Sequence, residues 1–186
     1  MESPRALIIG AGSRGNAYAR AVRKSTNGVV VAVAEPIVYK RRELGRKYIW
    51  EDNQPQPEQE FEDWRDFVRY ETSRRKSAAA GEKTAPGIDA VFVCTLDEQH
   101  AEIITGLASL NLHVLCEKPL ATTLQDCLDI YGSLLPKEPK ASPTAVFGIG
   151  HVLRYSPHNM LLRELVLEDG VIGEVLSVEH TEPVGE

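Results

Sequence analysis

The sequence predicts an α/β fold. A parallel β-sheet with flanking helices fills residues 1–149, and residues 150–186 follow it. Three observations carry this reading. Short apolar runs alternate with helical patterns from residue 5 to about residue 149, and parallel neighbours require such crossovers because a tight hairpin cannot join them. The runs are apolar at consecutive positions, as in strands buried on both faces. The first run ends in the turn Gly10-Ala11-Gly12-Ser13-Arg14-Gly15, and the second ends in an acid, Glu35.

Residues 5–10 (RALIIG) form the first strand, and 14–25 follow as a helix with alanines and arginines at helical spacing. Residues 29–34 (VVVAVA) are the second strand, closed by Glu35-Pro36 because proline cannot donate to a ladder. Helical residues 38–49 lead to a polar, proline-bearing loop at 51–57. Over 58–80 the steps between Phe61, Trp64, Phe67 and Val68 make one apolar stripe, which predicts a single surface helix stopping near Gly81. Residues 88–95 (IDAVFVCT) are the third strand, 98–110 a helix, and 113–116 (HVLC) the fourth strand. Residues 122–135 make another helix, capped by Thr122 or Thr123. A linker at 136–143, a fifth strand at 144–149, a helix near 157–168 and a strand at 174–180 complete the chain.

Composition narrows the function classes. The 186 residues are 42% hydrophobic, ordinary for a globular protein. No run approaches the ~20 apolar residues that cross a bilayer, and the first residues lack a secretory-leader pattern. The three cysteines, Cys94, Cys116 and Cys127, have neither metal-ligand spacing nor an even count. The expectation is a cytoplasmic protein with reduced thiols, no metal and no membrane partner. The net charge of −6 is unevenly spread. Residues 1–50 hold ten Lys/Arg against three Asp/Glu, and the remainder eleven against twenty-four. The acidic part argues against nucleic acid, while the basic part suits a polyphosphate ligand. A merely solvated helix face explains Lys40, Arg41, Arg42, Arg46 and Lys47 equally well.

The glycine turn fits GxGxxG at Gly10, Gly12 and Gly15, between a buried strand and a helix. This context marks a Rossmann-type dinucleotide-binding turn. Gly10 permits the tight turn, Gly12 lets the pyrophosphate approach, and Gly15 lets helix and strand pack closely. Ser13 and Arg14 lie at the helix start, where free amides face phosphates. Glu35 follows Gly15 by twenty residues, matching the spacing of about 20 for the ribose-binding acid. An acid there repels a 2′-phosphate and favours NAD, while Arg14 and Lys40-Arg41-Arg42 pull toward NADP. Thr95 and Leu96 end the third strand on the cofactor side, with His100 opening the next helix as cofactor contact or as a packed turn-fixing histidine. Glu117-Lys118-Pro119 ends the fourth strand. There Lys118 would reach the nicotinamide, burial would tune it for proton transfer, and Pro119 allows a cis peptide that would aim it. An ordinary surface turn is the alternative for this tripeptide.

In order along the whole chain, the Gly10–Gly15 loop, Ala34-Glu35-Pro36, Ile88-Asp89-Ala90-Val91 with Thr95 and His100, and above all Glu117-Lys118-Pro119 resemble the glucose–fructose oxidoreductase / inositol dehydrogenase / MocA (Gfo/Idh/MocA) family. Arg154-Tyr155-Ser156-Pro157 and Gly173-Glu174-Val175 are similar to its entry into the second domain, which implies that 150–186 is the truncated start of a second α/β domain, for substrate and oligomerisation, with a mainly antiparallel sheet. The resemblance implies that Lys118 is catalytic, positioning substrate and relaying a proton. It implies an NAD(P)-dependent oxidoreductase moving hydride between nicotinamide and a hydroxyl or carbonyl carbon of a small polyol or sugar. The family's Asp…His acid–base pair falls beyond residue 186, and His151, His158 and His180 do not match it. The chain is therefore expected to act as an enzyme when the missing domain or a partner chain completes it. The alternative is a non-catalytic dinucleotide-binding sensor or interaction partner. A strand at 174–180 with no partner in the chain further predicts a homo-oligomer or a partner chain paired along it.

Overall fold

A computed structural model describes residues 3–135 and 145–181. The linker read at 136–143 and the first residue of the strand read at 144–149 lie outside them. The chain divides into two compact units, Met1–Gly150 and His151–Glu186.

The first unit is a six-stranded sheet in the order β3-β2-β1-β4-β5-β6, parallel at every pairing. Its strands are β1 Arg5–Ile9, β2 Val29–Ala34, β3 Glu60–Phe61, β4 Ala90–Val93, β5 His113–Cys116 and β6 Phe147–Ile149. Its helices are α1 Ser13–Ser25, α2 Val38–Tyr48, α3 Trp64–Ala79, α4 His100–Leu107 and α5 Leu124–Leu134. The order reverses between β1 and β4, which opens a crevice at the carboxyl ends of the strands.

Both faces of the sheet are buried, which explains the uninterrupted apolar runs. Leu7 and Ile9 of β1 point into one core with Val91, Val93, Ile103, Ile104, Leu107, Val114 and Ile130. Ile8, between them, points into the opposite core with Ala19, Val22, Val33, Leu44 and Trp50. A register shift pairs Ala6 with Val30 but Leu7 with Ala32, skipping Val31. That extra residue puts Val30 on the same face as Val33.

The approach of α1 to β1 is tight. A Cβ on Gly15 would lie 2.0 Å from the Gly10 carbonyl oxygen and 3.0 Å from Ile8 Cγ2. Gly10 has φ +91°, and a Cβ there would lie 2.6 Å from the Cys94 carbonyl oxygen beyond β4. Both positions therefore require glycine.

The single helix read over 58–80 is two elements. Phe61 belongs to edge strand β3, paired to β2 through Val33 with Glu60 and Ala34 with Phe61. The helix starts at Trp64 because Asp63 caps it, its carboxylate accepting from Arg65 N while Asp66 reaches back to the Asp63 amide. Of the two candidate caps for α5, Thr123 serves, accepting from Asp126 N.

Glu71 of α3 is fully buried. Arg74 binds it through two bonds of 2.7 Å, and Arg75 through one of 2.8 Å. Arg74 also donates to the Ala85 carbonyl, and Arg5 to that of Gly87, so this cluster ties the 80–89 connection to the body.

The second unit has a 3₁₀ turn at Val152–Tyr155, helix α6 Pro157–Arg163, a π-helical turn at Glu164–Glu168, and glycine turns at Gly170 and Gly173. The strand expected at 174–180 is not formed. A strand exists only through its ladder, and among the described residues no β-ladder includes this segment. The edge-pairing argument for self-association loses its strand, and no antiparallel sheet appears among the described residues.

Two outcomes follow. Gly15→Ala destabilises the fold by about 3 kcal/mol or more, because backbone rather than a flexible side chain blocks the new methyl; urea denaturation measures it. Burial opposes ionisation of Glu71, but hydrogen bonds from Arg74 and Arg75 hold its carboxyl below the usual range. The stability it contributes is complete above the ordinary value of ~4.3 and is lost as pH falls from there through the lower folded-state value. Glu71→Gln therefore costs about 3 kcal/mol at pH 7, and the gap to wild type narrows on acidification. A gap that stays constant down to acid-induced unfolding contradicts this.

Candidate functional site

The carboxyl ends of β1, β2, β4 and β5 bring the sequence-predicted residues onto one rim. Gly10 to Gly15 run from β1 into α1. Gly12 is the N-cap of α1 and has no side chain with which to cap it. The first-turn amides are thus left for a ligand. A Cβ on Gly12 would meet nothing within 4 Å, so this glycine faces open space where Gly10 and Gly15 face backbone. Ser13 and Arg14 are exposed beside it.

Glu35 follows β2 and is buried. Its Oε2 accepts from Ala11 N at 2.8 Å and its Oε1 from Ile37 N at 3.0 Å. The acid therefore ties the glycine turn to the start of α2. A carboxylate has about four acceptor positions, so those left after these two bonds suit a pair of ribose hydroxyls. Open space over Gly12, uncapped amides at α1 and a fixed carboxylate one strand away fit the pyrophosphate and adenosine ribose of a dinucleotide.

The β5 end of the rim is cross-linked as well. Glu117 is buried. It accepts from Tyr18 Oη at 2.6 Å and from the Lys118 amide at 3.3 Å, and Arg14 Nε stands 3.9 Å away. Tyr18 stacks on Phe92 of β4 with centroids 5.3 Å apart. Burial, with the Glu117 carboxylate beside it, pushes the Tyr18 hydroxyl well above its ordinary pKa. It therefore remains a donor to Glu117 throughout the neutral range. The Lys118–Pro119 peptide is cis. Lys118 is exposed at the mouth of the rim.

His100 lies beneath this loop, fully buried. A carbonyl only accepts, so His100 Nδ1 donates to the Pro119 oxygen at 2.8 Å. Nε2 has no partner. Burial and this bond suit the packed, turn-fixing alternative of the two that the sequence left open. Thr95 Oγ1 is likewise buried without a partner, and Leu96 is exposed next to it.

Cys94 and Cys116 border the site. Burial raises the first well above its ordinary value and pushes the second up to about 12, so neither is a thiolate at neutral pH. Among the described residues no three His, Cys, Asp or Glu side chains are grouped to hold a metal ion, and no helix is long and apolar enough to cross a membrane.

Sequence reasoning missed Tyr18 and Glu60. Tyr18 lies three residues past Gly15, on the α1 face toward the sheet, and its spacing from the motif was the available signal. Glu60 was hidden inside the helix assigned to 58–80.

Residues 5–138 match the family described as "Oxidoreductase family, NAD-binding Rossmann fold". Inositol 2-dehydrogenase of Rhizobium meliloti (strain 1021) is 29% identical over 177 residues, 94% of this chain and 43% of that protein. 2,7-Anhydro-N-acetylneuraminate hydratase of Escherichia coli (strain K12) is 36% identical over 100 residues, 53% of this chain and 24% of that protein. The fold matches myo-inositol dehydrogenase of Lactobacillus casei, solved with NAD(H) and myo-inositol, at a TM-score of 0.68 and 24% identity, covering 92% of this chain and 43% of that one. The chain thus spans less than half the length of these relatives. With its rim, strand order and family match in agreement, the chain belongs to the Gfo/Idh/MocA oxidoreductase family and carries that family's NAD-binding Rossmann domain.

Proposed function

We propose that the chain is the cofactor-binding part of an NAD-dependent oxidoreductase. Hydride would pass between nicotinamide and a hydroxyl- or carbonyl-bearing carbon of a small polyol or sugar-like substrate. The observation that carries this reading is the cross-linking of the Glu117-Lys118-Pro119 loop. Tyr18 and His100 hold it from two different helices at the end of the sheet where the glycine turn opens. A rim so tied suits the exact placement that hydride transfer needs.

Bound NAD supplies the hydride acceptor or donor. The first-turn amides of α1, with Gly10, Gly12, Ser13, Arg14 and Gly15, would hold the pyrophosphate. Glu35 would hold the adenosine ribose, and Thr95 and Leu96 would line the cofactor's path toward β5. Lys118 would hydrogen-bond the reacting oxygen and move its proton. Glu117 and His100 would set the position of Lys118 through the loop backbone. Inositol dehydrogenases among the relatives support a polyol, and the hydratase supports a sugar-like acid as a neighbouring substrate class. Reduced thiols support a cytoplasmic setting. Leu161, Leu162, Ile172 and Leu176 are exposed in the second unit, which supports association with a second copy or a partner chain; light scattering of the protein reads it, and a clean monomer removes it.

Fluorescence titration with NADH is the primary test, and the absence of saturable binding defeats the proposal. Gly12→Ser separates ligand from fold. Serine is a favourable N-cap, so the melting temperature holds, while a side chain over the pyrophosphate weakens NADH binding at least about tenfold. With a turned-over polyol in hand, Lys118→Met lowers kcat by about 10²-fold or more. A wild-type kcat in that variant removes Lys118 from the chemistry.

A further inference from the structure

We propose that Glu60, on the short edge strand β3, sets the preference for NAD over NADP by keeping Arg41 and Arg42 from a 2′-phosphate. This rests on the dinucleotide reading above and concerns a residue outside the glycine turn and the ribose acid.

The sequence poses a conflict at the end of β2. Glu35 disfavours a 2′-phosphate, yet Lys40-Arg41-Arg42 follows in the first half of α2, and an arginine close to this ribose is the usual means of accepting that phosphate. The geometry resolves it. Arg41 is buried. Its Nη1 donates to the carbonyl oxygens of Glu35, at 2.5 Å, and Pro36, at 3.3 Å. Its Nε donates to Glu60 Oε1 at 2.8 Å. Arg42 has its Nε 3.6 Å from the same Glu60 oxygen while its side chain is 64% exposed. One carboxylate thus faces both guanidinium groups.

Glu60 is delivered there by the sheet. β3 pairs Glu60 with Val33, and the Glu35 amide donates to the Phe61 carbonyl at 3.1 Å. The two acids are therefore one strand apart, each with its own task. Glu35 offers its free lone pairs toward the ribose. Glu60 neutralises cations that would otherwise draw a phosphate to the same corner. The charges of Glu35 and Glu60 balance those of Arg41 and Arg42. Removing the Glu60 charge leaves these four groups positive by one, with a loosened, solvent-facing Arg42 able to form a charge-assisted bond to a phosphate.

The test is equilibrium titration of the protein with NADH and with NADPH. In Glu60→Gln the side chain keeps its length and can still accept from Arg41, so only the charge is lost. The ratio of the NADPH to the NADH dissociation constant is expected to fall by about tenfold or more. Adding Arg42→Ala to Glu60→Gln is expected to return most of that change. Arg42→Ala alone, at an exposed helix position that does not threaten folding, is expected to leave the wild-type ratio within about twofold, because Glu60 already holds that arginine. A ratio unchanged in Glu60→Gln, in protein that still binds NADH, overturns the inference and leaves the dinucleotide reading intact. A large rise in the ratio for Arg42→Ala alone also overturns it, since Arg42 would then already read the phosphate. Failure of the wild type to bind either dinucleotide removes both.

Discussion

The close approach of α1 to β1 is the constraint on which the rest of the structure depends. With only hydrogen at Gly15, the first turn of α1 sits against the Gly10 carbonyl, and with only hydrogen at Gly10, β1 turns beside the Cys94 carbonyl. That approach fixes the direction of α1 over the sheet. It brings Tyr18 over Phe92 and within reach of Glu117 at the end of β5. A helix held farther out would keep the sheet but lose the bridge from the glycine-turn helix to the end of β5. Gly150 belongs to the same arrangement, since a Cβ there would lie 2.9 Å from the Tyr18 hydroxyl and 3.0 Å from Glu117 Oε1.

Three buried or half-buried carboxylates organise the rim, each joining segments distant in sequence. Glu35 joins the glycine turn to α2, Glu60 joins β3 to α2, and Glu117 joins β5 to α1. A buried carboxylate is costly unless its oxygens are satisfied. These acids are satisfied by amides, by a phenol and by guanidinium groups, and that need fixes the backbone around them. His100 does the same with a single bond to Pro119. Residues that would touch cofactor are thus separable from residues that hold them in place.

Much of this was legible in the chain itself. β2 and β5 were read with the bounds they have, because strands buried on both faces leave unbroken apolar runs and Pro36 and Pro119 punctuate them. The positions of the glycine turn, Glu35 and the loop at Lys118 were legible because each lies at the end of an apolar strand. β3 was not. Two residues carry no period, and Phe61 continued the spacing of Trp64 and Phe67 into one apparent stripe. The helix boundary was decided by the Asp63 cap, a stronger signal than the stripe. The partners of Glu117, Arg41 and Glu71 were hidden because sequence spacing says nothing about which side chain crosses 99 residues to meet another, as Tyr18 does. The strand expected at 174–180 failed for the opposite reason. Its pattern suits a strand, but pattern supplies no ladder partner.

The edge strand has a further consequence. β3 is held to β2 by a ladder only two residues long, at the border of the sheet. Short border ladders open at a far smaller free energy than central ones. Hydrogen exchange in the neighbourhood of Glu60 should therefore be governed by local fraying, whereas the amides of β1 and β4 exchange only with global unfolding. Warming then loosens the clasp on the two arginines well before the sheet melts, so the proposed discrimination between cofactors and the integrity of the fold would have separate thermal limits.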